Sequence, residues 1–178
     1  MTDVARFEAF VREYQDMVFG TAVRLLGRES DAEDVAQTVF LRAFERFAEV
    51  VESPAVAGWL KTVTTNLCLN HLSRYRARWR FFSEMDPVRE MPRLEARVAR
   101  MASAPEEMER ADAQDRLERA LRRLPDQQRV PLVLFHFEEL SYQAIAETLG
   151  VSLAKVKSDI HRGREALKQE LSTSHGSR

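Results

Sequence analysis

Between Lys61 and Arg80 five cations, Lys61, Arg74, Arg76, Arg78 and Arg80, occur with no acidic residue, and Tyr75 and Trp79 lie among them with Phe81 and Phe82 just beyond. Guanidinium groups at that density suit phosphate oxygens, and the aromatic rings suit stacking on unpaired bases. Catalytic chemistry is much harder to assemble. His71, His136, His161 and His175 have no metal-ligand spacing, and no nucleophile and base form a local signature. The residues therefore point to binding, with no metal, no cofactor and no enzyme activity expected.

A second constellation lies near the C-terminus. Ser141 to Leu149, Gly150-Val151-Ser152 and Leu153 to Leu167 read as helix, tight turn and helix. Glycine permits the backbone angles of such a turn, and serine is a good N-cap for the helix that follows. Val156, Ile160, Gly163 and Leu167 share one side of the second helix. Lys155, Lys157, Ser158, His161 and Arg162 fall on the other flanks and face, and Ser152 stands at the start. A helix with that pattern fits a major groove, with Ser158, Lys155 or Arg162 reaching base edges and the other cations meeting phosphates. The alternative is an ordinary helical hairpin with a solvated basic face.

These groups need elements to hold them, and the periodicity of apolar residues predicts helices throughout. Val4, Phe7, Val11, Tyr14, Val18 and Leu25 define the first, with Gly27 as its C-terminal cap. Ser30-Asp31-Ala32-Glu33 has the form of a capping box, followed by the stripe Val35, Val39, Ala43 and Phe47. Ser53-Pro54 starts a third helix after a loop at Glu49 to Glu52, with Trp59, Val63, Leu67 and Leu72 facing inward. Pro87, Pro92 and Pro105 interrupt the pattern from Phe82 to Arg110, where Leu94, Val98 and Met101 would form one or two amphipathic turns. Leu117, Leu121 and Leu124 mark the next helix, and Pro125-Asp126 begins another whose interior Pro131 should kink it unless it starts later. The expectation is an all-α chain of two small helical domains, residues 1–81 and 111–173, joined by a flexible linker over 82–110, with a disordered tail at 174–178.

Charge is segregated along the chain although its formal total is only −1. Met1 to Gly58 carries 11 acids against 6 bases, directly before the basic stretch. The N-terminal residues resemble neither a secretory signal nor a membrane span, so a cytoplasmic protein without membrane insertion is expected. A single cysteine, Cys68, reads as a small buried residue.

Asp31-Ala32-Glu33-Asp34-Val35-Ala36-Gln37-Thr38-Val39-Phe40-Leu41-Arg42-Ala43-Phe44 closely resembles the acidic helix with which extracytoplasmic-function sigma factors grip RNA polymerase. Gly58-Trp59-Leu60 through Asn66-Leu67 and Asn70-His71-Leu72, then the arginines, is similar to that family's reader of the minus-ten promoter element. Leu124-Pro125-Asp126-Gln127-Gln128-Arg129, Leu140-Ser141-Tyr142, Ile145-Ala146 and Val156-Lys157-Ser158 through His161-Arg162-Gly163-Arg164 resemble its minus-thirty-five reader.

The resemblance implies that Asp31, Asp34, Gln37, Phe40 and Arg42 face the polymerase's largest subunit, with Val39 rather than Phe40 turned inward. Asp31 and Asp34 would also gain about 0.3 to 1 kcal/mol each from a helix N-terminus. It implies that Lys61, Asn66, Asn70, Arg74, Tyr75, Arg76, Arg78, Trp79 and Arg80 meet the opened minus-ten strand, with the loop Glu49 to Gly58 forming the pocket for an extruded base. Ser152, Lys155, Lys157, Ser158, His161 and Arg162 would meet the minus-thirty-five duplex. Core RNA polymerase, double- and single-stranded promoter DNA and an anti-sigma factor are the implied partners. Asp159 departs from the pattern, and its carboxylate would repel phosphate unless it bonds a cytosine amine or a neighbouring cation. An independent helix-turn-helix regulator is the rival reading, but it leaves the acidic helix and the aromatic-basic run without a task.

Overall fold

A computed structural model describes residues 2–77 and 107–173, all in helices and their connections and none in a strand. They fall in two units, one within Met1–Arg97 and one within Val98–Arg178. The expected linker turns at Leu94, Val98 and Met101, the aromatics Phe81 and Phe82 and the tail 174–178 lie outside the described residues.

In the first unit α1 spans Asp3–Leu26, opened by the Thr2 hydroxyl accepting from the Ala5 amide and closed by Gly27 in the left-handed conformation, φ 74°. Its buried stripe runs through Phe10, Val18, Ala22 and Leu25, whereas Val4, expected inside, is 63% exposed. The helix is entered one turn ahead of the packed interface, so its first apolar residue has nothing to pack on. Next, α2 spans Glu29–Glu45. It begins one residue before the predicted capping serine. Arg28 is the N-cap, in extended conformation, and its side chain does not cap the helix. The two-residue connection from Gly27 leaves no room for a later start, and Ser30 is already inside the first turn.

Val35, Val39 and Ala43 are buried as expected, and Ala32 joins them one turn earlier. The expected fourth residue, Phe47, instead opens a separate single turn, α3, Phe47–Val50, because the chain breaks at Arg46. A six-ring cluster joins α1 to α2 and α3. Phe10 sits 5.0 Å from Tyr14, 5.6 Å from Phe47 and 6.4 Å from Phe40, while Phe7 sits 4.9 Å from Phe44 and 5.3 Å from Phe47. Edge-to-face ring pairs add about 0.5–1.5 kcal/mol each beyond burial.

The helix α4 spans Val56–Ala77. Ser53 does accept from the Ala55 amide, at 3.3 Å, but it closes a turn and the helix starts two residues after Pro54. Its inward face is shifted by one residue from the predicted one. Val56, Leu60, Thr64, Thr65, Cys68 and Leu72 are buried, and Trp59, Val63 and Leu67 are only half-buried. Two threonines occupy the middle of the stripe. Thr64 is accommodated by donating to the Leu60 carbonyl one turn earlier at 2.7 Å, which removes its need for water.

In the second unit α5 (Glu107–Arg123), α6 (Asp126–His136), α7 (Tyr142–Leu149) and α8 (Leu153–Thr173) pack with α8 against the other three. The first of these starts four residues before the predicted domain edge at Ala111. Arg129, 3% exposed, ties the turn between α5 and α6 by donating to the Leu124 carbonyl at 2.7 Å and pairing with Asp126. Pro131 stands inside α6, which continues through it to His136, so the missing donor leaves the helix intact. Burial of Val130 to Leu134 on both sides of the proline holds it in place.

Candidate functional site

The C-terminal site is the exposed side of α8, and local chemistry sets where that helix begins. Ser141 caps α7 by accepting from the Ala144 amide at 3.1 Å. Gly150 ends it in the left-handed region, φ 64°, ψ 37°, with Val151 N–H reaching the Ala146 carbonyl at 3.1 Å. Ser152 then caps α8 by accepting from the Lys155 amide at 3.2 Å. Helix, turn and helix are therefore each closed by the residues the sequence singled out.

Val156, Ile160 and Gly163 pack inward, and Leu167 is half-buried. Ser152, Ala154, Lys157, Ser158, His161 and Arg162 are exposed. At 3.6 residues per turn, Lys157, Ser158 and His161 fall within about 100° of arc. Two predicted residues behave differently. Asp159 is 8% exposed and its Oδ2 accepts from Lys155 Nζ at 2.7 Å, so this carboxylate faces a cation of its own helix. Lys155 is half-buried beside it.

One flank of α8 is tied to α6 through Arg164. Arg164 Nε donates to His136 Nε2 at 3.2 Å, and its guanidinium carbon lies 5.5 Å from the centre of the Phe135 ring. Phe135 in turn sits 4.7 Å from Tyr142. Partial desolvation first, and the Arg164 charge second, push the His136 imidazole below its usual pKa of 6.5. The neutral ring is the form that accepts from Arg164.

On α2, Asp34, Gln37 and Arg42 are exposed, whereas Asp31 and Phe40 are half-buried. Asp31 Oδ2 lies 3.6 Å from His71 Nε2 of α4, an ion pair whenever that imidazole is protonated. Phe40 leans on Phe10, with Val39 fully buried behind it. Leu41 and Phe44 were missed as surface residues and are 64% and 55% exposed. Their signal was present: each follows Gln37 or Phe40 by four residues, on the same side as those groups.

Along α4, Trp59, Val63, Asn66 and Asn70 follow one another at three- and four-residue steps, on the side opposite the buried stripe. Asn70 is exposed and the other three are half-buried. Lys61 does not join them, since five residues place it about 140° around the helix from Asn66. The segment expected as a pocket-forming loop, Glu49 to Gly58, is helical at both ends, with non-helical residues only from Val51 to Ala55. Arg74, Tyr75 and Arg76 continue α4, and Arg78, Trp79 and Arg80 lie outside the described residues. No helix among the described residues is long and apolar enough to cross a membrane.

Two family models match the chain: Sigma-70 region 2 over residues 10–79 and Sigma-70 region 4 over residues 114–167. The ECF RNA polymerase sigma factor SigE of Mycolicibacterium smegmatis is 35% identical over 179 residues, covering 93% of this chain; the chain spans 61% of that relative's length. The RNA polymerase sigma-E factor of Streptomyces coelicolor is 31% identical over 172 residues, covering 96% of this chain and 89% of the relative. A solved structure of the sigma factor RpoE in complex with the anti-sigma factor NepR from Bartonella quintana is similar at a TM-score of 0.49 and 21% identity, over 94% of this chain and 97% of that one.

Proposed function

The chain belongs to the extracytoplasmic-function sigma factors of bacterial RNA polymerase, and from that premise we propose that it binds core polymerase, directs it to specific promoters and assists strand opening. It acts in the cytoplasm and performs no covalent chemistry of its own. The exposed side of α2, with Asp31, Asp34, Gln37, Phe40 and Arg42 joined by Leu41 and Phe44, holds the polymerase. Apolar groups ringed by charge supply the affinity there, and the carboxylates select a basic partner.

The outer side of α4, with Asn66 and Asn70, and the run Arg74, Tyr75, Arg76, Arg78, Trp79 and Arg80 hold the opened minus-ten strand, and Lys61, turned away from that side, is not part of the contact. Capturing an extruded base offsets the few kcal/mol that unpairing it costs, so no nucleotide hydrolysis is needed. Ser152, Lys157, Ser158, His161 and Arg162 of α8 meet the minus-thirty-five duplex. Residues 82–110 link the two halves, and tethering two weak contacts raises the effective concentration of each for its site. An anti-sigma factor that masks these surfaces is the regulator the family resemblance implies.

The observation that carries this reading is the coexistence, in one chain, of a capped helix-turn-helix and a second unit with an exposed acidic and apolar face on α2. A stand-alone duplex-binding regulator has no use for that second face. Mixing the purified chain with core polymerase and resolving the mixture by size tests it: a one-to-one assembly supports the proposal, and separate elution with duplex binding by the chain alone favours the independent regulator.

A further inference from the structure

Lys155 is the cation nearest the start of α8, and it stands three residues before Ser158 at the edge of the exposed face. A free ammonium at that place, on a four-carbon stem, would reach any phosphate or base edge offered to the helix. In the structure it is already engaged: Nζ donates to Asp159 Oδ2 at 2.7 Å, with the Lys155 side chain 39% exposed and that of Asp159 only 12%. If the lysine swung out to DNA, the carboxylate would be left nearly buried and without its cation, which is strongly unfavourable.

General helix stabilisation is a poor explanation for this pair. A lysine in the first turn opposes the helix dipole, and lysine placed four residues before a carboxylate is the weaker of the two orientations. What the pair does achieve is to withdraw one strong phosphate-seeking charge from the DNA-facing edge. We infer that Asp159 is a specificity-determining residue of α8: by holding Lys155 it keeps a sequence-blind cation off the DNA, leaving readout to Lys157, Ser158, His161 and Arg162. Phosphate contacts carry affinity without sequence information, so removing one raises the ratio of selected to scrambled binding. The inference rests on the reading of α8 as the duplex-facing helix.

The test uses the full chain assembled with core polymerase, and two linear promoter duplexes, one selected from a pool randomised upstream and one scrambled there. Affinity for each is measured across a potassium chloride series for the parent, Asp159→Asn, Lys155→Met and the double variant. Asp159→Asn should bind the scrambled duplex roughly three- to tenfold more tightly at low salt, with a log–log salt slope steeper by about one unit. The double variant, which removes both charges of a pair that is neutral as a whole, should match the parent on both duplexes, whereas Lys155→Met, which leaves the Asp159 carboxylate without its cation, should bind both more weakly. Loss of affinity and of about one unit of slope in the double variant relative to the parent would overturn the inference, because it would mean that Lys155 meets phosphate in the parent. Should Asp159→Asn lose its helical melting transition, the double variant still decides the matter, because a held lysine predicts no change there and a phosphate-bound one predicts loss. If the parent holoenzyme selects no upstream duplex from the pool, the reading of α8 fails first and takes the inference with it.

Discussion

Gly163 of α8 approaches α6 so closely that a Cβ at that position would stand 3.0 Å from the backbone carbonyl oxygen of Gln128. The two helices meet backbone to side, and the recognition helix is seated by that contact. Alanine would favour the helix by up to about 1 kcal/mol on propensity alone. Forcing the helices apart costs about 1–3 kcal/mol, because a carbonyl in a helix cannot yield as a side chain does. Gly163→Ala should therefore lower stability by about 1 kcal/mol net, read as a lower urea midpoint. A midpoint unchanged or raised would show that α6 and α8 have slack at this crossing.

The six-ring cluster separates stability from binding within the first unit. Phe10 is 5% exposed and touches four other rings, so Phe10→Ala should cost about 3–5 kcal/mol. Phe44 is 55% exposed. Its replacement by serine should lower the melting temperature far less while weakening assembly with core polymerase at least tenfold, measured by titration of a labelled chain. Equal losses of stability in the two variants would mean that Phe44 belongs to the interior.

His136 gives the second unit a pH dependence with a definite sign. Its pKa lies below 6.5 in the folded chain, so the unfolded chain takes up a proton first as pH falls. The stability carried by the neutral ring is complete above about 6.5 and is lost as pH drops from there through the lowered folded value. An NMR titration of the His136 ring should show a midpoint under 6.5, and Arg164→Ala should raise it. A midpoint at or above the ordinary value would contradict the Arg164 contact.

Asn66 and Asn70 stand on the outer side of α4, Asn70 exposed and Asn66 half-buried. Asn66→Ala should slow promoter opening several-fold with little effect on the melting of the chain, followed by a fluorescent base placed in the minus-ten strand. Opening at the parental rate would remove Asn66 from the strand-capturing face.

The parts of this structure legible in the sequence are those written in short-range chemistry. Ser141, Gly150 and Ser152 act on neighbours within a few residues, so their types and order were enough to place the helix-turn-helix and its exposed side. Val39 was placed inside correctly because the α2 stripe is wholly apolar. In α4 the same reasoning slipped by one residue, since the stripe passes through Thr64 and Thr65, whose polarity hides their burial until a partner such as the Leu60 carbonyl is seen. Ser30 looked like a cap but lost that role to the tight exit from Gly27, which only the chain geometry reveals. Lys155 and Asp159 were each visible as charges, four residues apart. That they satisfy one another depended on how deeply α8 seats Asp159 against its neighbours, a tertiary fact.

Promoter choice is what this chain should give core polymerase. Run-off transcription from a panel of promoters taken from the chain's own genome, with core polymerase alone, with the chain added, and with an Arg76→Ala, Arg78→Ala double variant, reads that choice out. Discrete transcripts are expected only when the chain is present, lost or greatly reduced with the double variant. Binding of duplex DNA by the chain alone, with no promoter in the panel ever used by polymerase, would contradict that expectation.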